Sequence, residues 1–304
     1  MTGPSLQHRG EYWLFRLMRW KWGWLPEALA VRLGALTGLF AGCVLRIRRR
    51  DVDRHLALAF PDRAPAWRAR VARASYTHLG REAAILFRMG RWTPEQIVER
   101  VTFRGLSELR RAAEAGRGAV LLTGHLGAWE FAGAALAAAG IRLDVVGKRM
   151  ANRRFEQDLF GLREELGMGV IEMGSAAKRV LRALRDGRVV AILGDQNAHK
   201  SDVFVSFFGR QAATARGPAL FAIRTGAPVF FGIVLRDPGW AQRYTATVWL
   251  MRFRPTGDVE ADTRSLLAEY MQALEDAVRE APEQYFWQHK RWKTRPPEEL
   301  ESAG

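Results

Sequence analysis

The chain reads as an α/β protein. A mostly parallel or mixed central sheet is flanked by helices, and an N-terminal membrane-associated helical extension precedes it. Three observations carry that reading. From about residue 101, short β-rich runs alternate with helical stretches, which predicts a sheet covered by helices on both sides. Several of those runs are unbroken apolar segments, as in strands buried on both faces. Before residue 50, aromatic and basic residues bracket an apolar stretch, the composition of a helix at a bilayer interface.

The elements follow in order. Residues 12–26, "YWLFRLMRWKWGWLP", mix aromatics with Arg and Lys, and 28–45, "ALAVRLGALTGLFAGCVL", are apolar apart from Arg32 and Thr37. Arg32 and the borderline length argue for a helix lying in or dipping into the bilayer, with a single span or a buried soluble helix as the other readings. "RIRRR" at 46–50 supplies a basic flank. Residues 51–92 read as helical with a break at Pro61 and Pro65, and His78 on that helix reads as a packed or surface histidine. The predicted strands are "VTFRG", "AVLLTG", "LDVVG", "GVIEM", "VVAILG", "VFVSFFG" and "PVFFGIVLR". Helices are predicted over 106–115, 128–140, 152–166, 175–186 and 212–225. Residues 243–255 predict a longer strand, antiparallel at the sheet edge. A final helix covers 260–282, ahead of a basic, aromatic tail, "YFWQHKRWKTRPPEE". Residues 1–50 thus form a membrane-associated region and 51–304 one α/β domain.

Composition narrows the partners. With 48% hydrophobic and 26% charged residues in 304, the chain supports a packed core. A formal net charge of +15, most of it from Arg, calls for an acidic partner: nucleic acid, an anionic membrane surface or an acidic carrier protein. Nucleic acid is disfavoured, because no RNP-like, zinc-finger or basic-zipper signature is present and the Trp cluster adjoins an apolar helix. The single cysteine, Cys43, excludes an intrachain disulfide and a cysteine metal site. No cleavable signal peptide is expected.

Many site types are absent: there is no Walker A loop, no well-placed G-x-G-x-x-G, no H-E-x-x-H and no G-x-S-x-G elbow, and the six histidines lack metal-ligand spacing. Two candidates remain. In "LLTGHLGAWEF", His125 follows a predicted strand and Glu130 falls in the first turn of the next helix. Ligands bind beyond the carboxyl ends of strands in open α/β sheets. A carboxylate on one imidazole nitrogen raises the basicity of the other, as a general base needs. The competing reading is that His125 caps the helix and Glu130 favours its positive end. In "GDQN", Asp195 likewise follows an apolar strand, as an acceptor-binding or arginine-positioning residue or as a loop cap.

"GHLGAWE" resembles the H-x4-[D/E] motif of the lysophospholipid acyltransferase superfamily. Together with "GDQN", "VFVSFFGRQAATARGPALFAIRTGAPV" and "EQYFWQHKRWKTRP", it is similar to the late lauroyl/myristoyl transferases of lipid A biosynthesis. The resemblance runs over nearly the whole chain. It implies an O-acyltransferase on the cytoplasmic face of the inner membrane that needs no metal or cofactor. The implied donor is an acyl thioester, acyl carrier protein or acyl-CoA, and the implied acceptor is a hydroxyl of a lipid A precursor. His125 matches the family's base, Glu130 its carboxylate partner and Asp195, beside Gln196, its D-Q motif. Arg149 and Arg163 compete for an arginine role, since Met150 stands where the family has Pro. Backbone N–H groups near Gly127 or an arginine are expected to hold the oxyanion. The expected carrier or membrane contacts are Arg46, Arg48, Arg49 and Arg50 in one patch and Lys290, Arg291 and Lys293 in the other. The motifs leave a glycolipid, ornithine lipid or lysophospholipid open as the acceptor.

Overall fold

The computed structural model describes residues 6–148, 150, 152–173, 176–199 and 203–296. The strands are β1 (Val101–Arg104), β2 (Ala119–Thr123), β3 (Leu143–Gly147), β4 (Gly169–Glu172), β5 (Val189–Leu193), β6 (Phe204–Phe207), β7 (Arg210–Ala213), β8 (Val229–Arg236) and β9 (Tyr244–Leu250). Seven of them form one mixed sheet in the order β1-β9-β8-β2-β5-β3-β4. β2 lies parallel to both β5 and β8 at its centre. Its side chains alternate between two cores: Val120 and Leu122 pack into one, Ala119 and Leu121 into the other. That two-sided burial explains why β2 and β5 are unbroken apolar runs.

Strand β9 is antiparallel to β8, as expected, but it is not an edge. β1 pairs with it in parallel, Val101 opposite Tyr244, and takes the outer position. Half-exposed β1 tolerates that place, whereas β9 buries Tyr244, Ala246 and Val248.

The helices are α1 (Leu6–Trp24), α2 (Glu27–Cys43), α3 (Arg49–Ala59), α4 (Pro65–Met89), α5 (Pro94–Val98), α6 (Leu106–Ala112), α7 (Trp129–Ala138), α8 (Arg153–Glu165), α9 (Ala176–Arg185), α10 (Gly217–Thr225) and α11 (Val259–Glu280). The predicted helix over 212–225 starts late. Phe208 (φ 53°) and Gly209 (φ 69°) make a two-residue turn with both φ positive, which closes β6 against β7 and pairs Ala212 with Val205. Only after that hairpin does Pro218 open α10.

Helix α2 divides its apolar residues by size. Gly34 and Gly38 lie against the backbone of α4 at Tyr76 and Gly80, so closely that a Cβ at Gly38 would strike the Tyr76 carbonyl. Leu29, Leu33, Leu36 and Phe40 are exposed, as are Trp13, Trp20 and Trp24 of α1. Among the described residues no helix is long and apolar enough to cross a membrane.

The C-terminal tail is core rather than appendage. Tyr285, Trp287, Arg291 and Trp292 are buried. Arg291, expected on a basic surface patch, is 1% exposed and donates to the Ala213 carbonyl (2.6 Å) and Thr214 Oγ1 (2.7 Å). Its guanidinium is enclosed by Phe207 and Met271, with Nη1 held by the Ala213 carbonyl, Nη2 by Thr214 Oγ1, and Nε buried without a hydrogen-bond partner among the described residues.

Candidate active site

The register of the central strands builds the site. Thr123 at the end of β2 stands opposite Leu193 at the end of β5, so both chains leave the sheet side by side. The next residues are Gly124-His125 and Gly194-Asp195. A Cβ on Gly124 would press on Leu274, and one on Gly194 on the Tyr270 ring, so both turns run tight against α11. Asp195 therefore meets His125 directly: Nδ1 lies 2.7 Å from Oδ1, and the His125 backbone N–H donates to Oδ2 at 2.9 Å. Asp195 is buried. Burial alone would raise its pKa, but the His125 charge, the two hydrogen bonds from that residue and the field of Arg291 outweigh it and hold the carboxyl below its ordinary value. An ionised Asp195 fixes the proton on Nδ1 and leaves Nε2 as the basic nitrogen. The Gln196 carboxamide nitrogen sits 3.1 Å from that Nε2.

The loop carrying His125 is clamped from three sides. The Gly127 N–H donates to the Gln284 carbonyl (2.9 Å) and the Ala128 N–H to the Val234 carbonyl (2.8 Å), while the His125 carbonyl accepts from the Phe286 N–H (2.9 Å). The Tyr270 hydroxyl donates to the Thr123 carbonyl (2.7 Å), and His78 Nε2 lies 3.1 Å from the Gly127 carbonyl. Gly127 has φ 66°, and a Cβ there would collide with the Val234 carbonyl. The N–H groups of Gly127 and Ala128 thus hold the loop, and the expected oxyanion role at that position is not available to them. Trp129 and Phe286 border the imidazole, with ring centroids 5.3 and 6.0 Å away.

Glu130 turns away from the histidine. It forms a two-point ion pair with Arg163 of α8, Oε1 to Nη2 at 2.6 Å and Oε2 to Nε at 3.1 Å. The carboxylate on His125 is Asp195, and the expected His125–Glu130 contact is replaced by a Glu130–Arg163 pair. Of the two candidate arginines Arg163 is at the site, and Arg149 lies outside the described residues. Between α4 and the start of α7 lies an apolar cavity of about 120 Å³, lined by Leu79, Ala83, Leu86, Met89, Trp129 and Phe131, with Glu82 and Glu130 also on its wall.

The two predicted basic patches come together beside this site. Arg48 donates to the Gln288 carbonyl (3.0 Å), and Lys290 pairs with Asp51 at 3.4 Å, so the start of α3 lies along the tail that carries Phe286. Arg46, Arg50, Lys290 and Lys293 are exposed, and Arg49 pairs with Asp53. The loop after Asp195 is tied to the same tail: the Asn197 N–H donates to His289 Nε2 (2.8 Å), and the Asn197 side chain accepts from the Thr294 N–H (2.9 Å). Burial pushes His289 down to about 4, which keeps its ring a neutral acceptor. The motifs alone reach neither the partnership of Asp195 with His125 nor the clamp from residues 284–286. The available signal is the parallel between "LLTGH" and "AILGD", two apolar strands that each end in Gly and a titratable residue.

A histidine oriented by a buried carboxylate stands at adjacent strand ends of a helix-flanked mixed sheet beside an apolar cavity, an arrangement suited to acyl transfer. The chain belongs to the bacterial lipid A biosynthesis acyltransferase family, whose model matches residues 2–294. Similar proteins include the lipid A biosynthesis palmitoleoyltransferase of Escherichia coli, 25% identical over 94% of this chain and 93% of that one. The lipid A biosynthesis lauroyltransferase of the same organism is 27% identical over the same shares. The phosphatidylinositol mannoside acyltransferase of Mycolicibacterium smegmatis is 30% identical over 65% of this chain and 64% of its own length, just under two thirds.

Proposed function

We propose that this protein transfers a fatty acyl chain from an acyl thioester, carried by acyl carrier protein, to a hydroxyl of a lipid A precursor at the cytoplasmic face of the inner membrane. The contact between His125 Nδ1 and Asp195 Oδ1 carries this reading. Nε2 takes the proton of the acceptor hydroxyl, and the oxygen adds to the thioester carbonyl. The tetrahedral intermediate collapses with cleavage of the C–S bond, and the imidazolium returns the proton to the departing thiolate. The ester and free thiol are the products, with no change of net charge. The N–H groups of Trp129, Glu130 and Phe131 precede the first intrahelical bond of α7, from Ala132 to Ala128, and are offered as donors for the oxyanion at the helix start.

Asp195 acts here as the positioning partner of the base. Glu130 holds Arg163, and that guanidinium contacts an anionic group of the acceptor. The apolar cavity takes part of the acyl chain. The exposed apolar residues of α1 and α2 rest in the bilayer interface, and the joined basic patches face the acidic carrier and lipid headgroups. A second reading keeps the reaction and changes the acceptor to another membrane glycolipid. It is favoured by the relatives named for phosphatidylinositol mannoside acylation. Mass spectrometry of lipids from cells with and without the protein separates the two. An added acyl chain on lipid A upholds the first reading, and an unchanged lipid A with an altered glycolipid replaces it with the second.

A further inference from the structure

The contact at His125 Nε2 has a role of its own. Because Nδ1 is committed to Asp195, Nε2 carries the lone pair, and a carboxamide nitrogen at 3.1 Å donates into it. The residues on either side of Gln196 are fixed: Asp195 holds His125 through two hydrogen bonds, and Asn197 is tied to His289 and Thr294. The Gln196 side chain is partly exposed and has rotatable bonds to spare. With Trp129 and Phe286 beside the ring, the carboxamide occupies the position that a hydroxyl must take to be deprotonated.

We infer that Gln196 is a specificity-determining residue. Its carboxamide caps His125 Nε2 in the resting enzyme, denies that nitrogen to water, and is displaced by the hydroxyl of a bound acceptor. The inference rests on His125 being the base. The reaction it suppresses is hydrolysis: water gives a proton to Nε2, the hydroxide oxygen adds to the thioester carbonyl, the C–S bond breaks, and the thiolate leaves with the proton from the imidazolium. A lipid hydroxyl positioned by contacts elsewhere replaces the cap, because its effective concentration at the ring far exceeds that of a free solute.

The test measures thiol release from a medium-chain acyl-CoA or acyl carrier protein thioester, without acceptor and with it. One neutral hydrogen bond lost from Nε2 corresponds to a change of about 3–10-fold. Gln196→Ala and the bulk-preserving Gln196→Met are expected to raise acceptor-free hydrolysis by about that factor, with a lower acceptor KM. Folded variants whose hydrolysis stays level or falls, or whose acceptor KM does not drop, overturn the inference. His125→Ala run in parallel identifies the cause. If it abolishes both reactions while the Gln196 variants show no effect, only the cap fails; if it retains both, the base assignment fails and the cap with it.

Discussion

His125 and Asp195 touch twice: ring Nδ1 to Oδ1 at 2.7 Å, and backbone N–H to Oδ2 at 2.9 Å. The carboxylate therefore sets the tautomer of the ring and the conformation of the loop with one side chain. Asp195→Asn keeps the shape but lets the ring adopt the wrong tautomer. Transfer is expected to fall on the order of 10²–10⁴-fold, as for loss of general-base function. His125→Ala is expected to fall at least as far, with the circular dichroism spectrum preserved. Steady-state rates for the two variants check this, and near-normal turnover by Asp195→Asn removes the dyad.

Glu130 and Arg163 act as a pair apart from the base. Glu130→Gln frees the guanidinium without touching His125, so the acceptor KM is expected to rise more than kcat falls. In a double-mutant cycle, Glu130→Gln and Arg163→Gln are expected to couple by about 1–3 kcal/mol. Additive effects sink the pairing as a functional unit.

Gly127→Ala tests the clamp. The left-handed backbone costs a non-glycine residue about 1–2 kcal/mol, and the Cβ would also meet the Val234 carbonyl. A lower melting temperature and loss of transfer are expected together. A variant that melts like the parent shows that the loop relaxes without the Gly127–Val234 approach.

Acid weakens the fold through its buried histidines. Burial lowers the pKa of His55, of His78 and of His289, the last to about 4. For His289, Asp195 opposes the shift while His125, Arg291 and Arg48 reinforce it. Unfolded imidazoles titrate near about 6.5, so between these values the unfolded chain binds protons that the folded one does not. Stability from these groups is complete above about pH 6.5 and declines as the pH drops toward 4. Protonated His289 also loses its acceptor for the Asn197 N–H. Thermal melts from pH 7.5 to 4.5 are expected to show a falling midpoint, with a shallower slope in His289→Gln.

The proposed lipid contact of the exposed apolar residues on α1 and α2 is open to a direct test. Replacing exposed Trp20 and Phe40 with Ser removes two large apolar side chains, each worth about 1.5–3 kcal/mol when buried. Co-sedimentation with anionic phospholipid vesicles is expected to weaken about tenfold or more. Added salt weakens the parent's binding further through the exposed arginines. Equal binding by the double variant and the parent rules this surface out.

Most of the fold is legible in the sequence because local patterning dictates it. Unbroken apolar runs such as "AVLLT" and "VVAIL" are strands buried on both faces, and the alternation with helices makes the sheet. His125 stands out for the same reason, as a polar residue directly beyond such a run. Partners are a different matter. Sequence spacing puts Glu130 five residues from His125, but only the register of β2 against β5 brings Asp195 to the ring from 70 positions away. Arg163 draws Glu130 off across α8, and the 284–286 segment closes over the loop from the far end of the chain. The small residues of α2 look merely apolar until α4 lies against them, and basic Arg291 turns out to be buried because β7 and α11 enclose it. Local hydrophobic pattern determines which residues form elements and which ones stand at their ends. Which end meets which is decided by strand pairing and side-chain packing over long separations, and no short-range pattern encodes that.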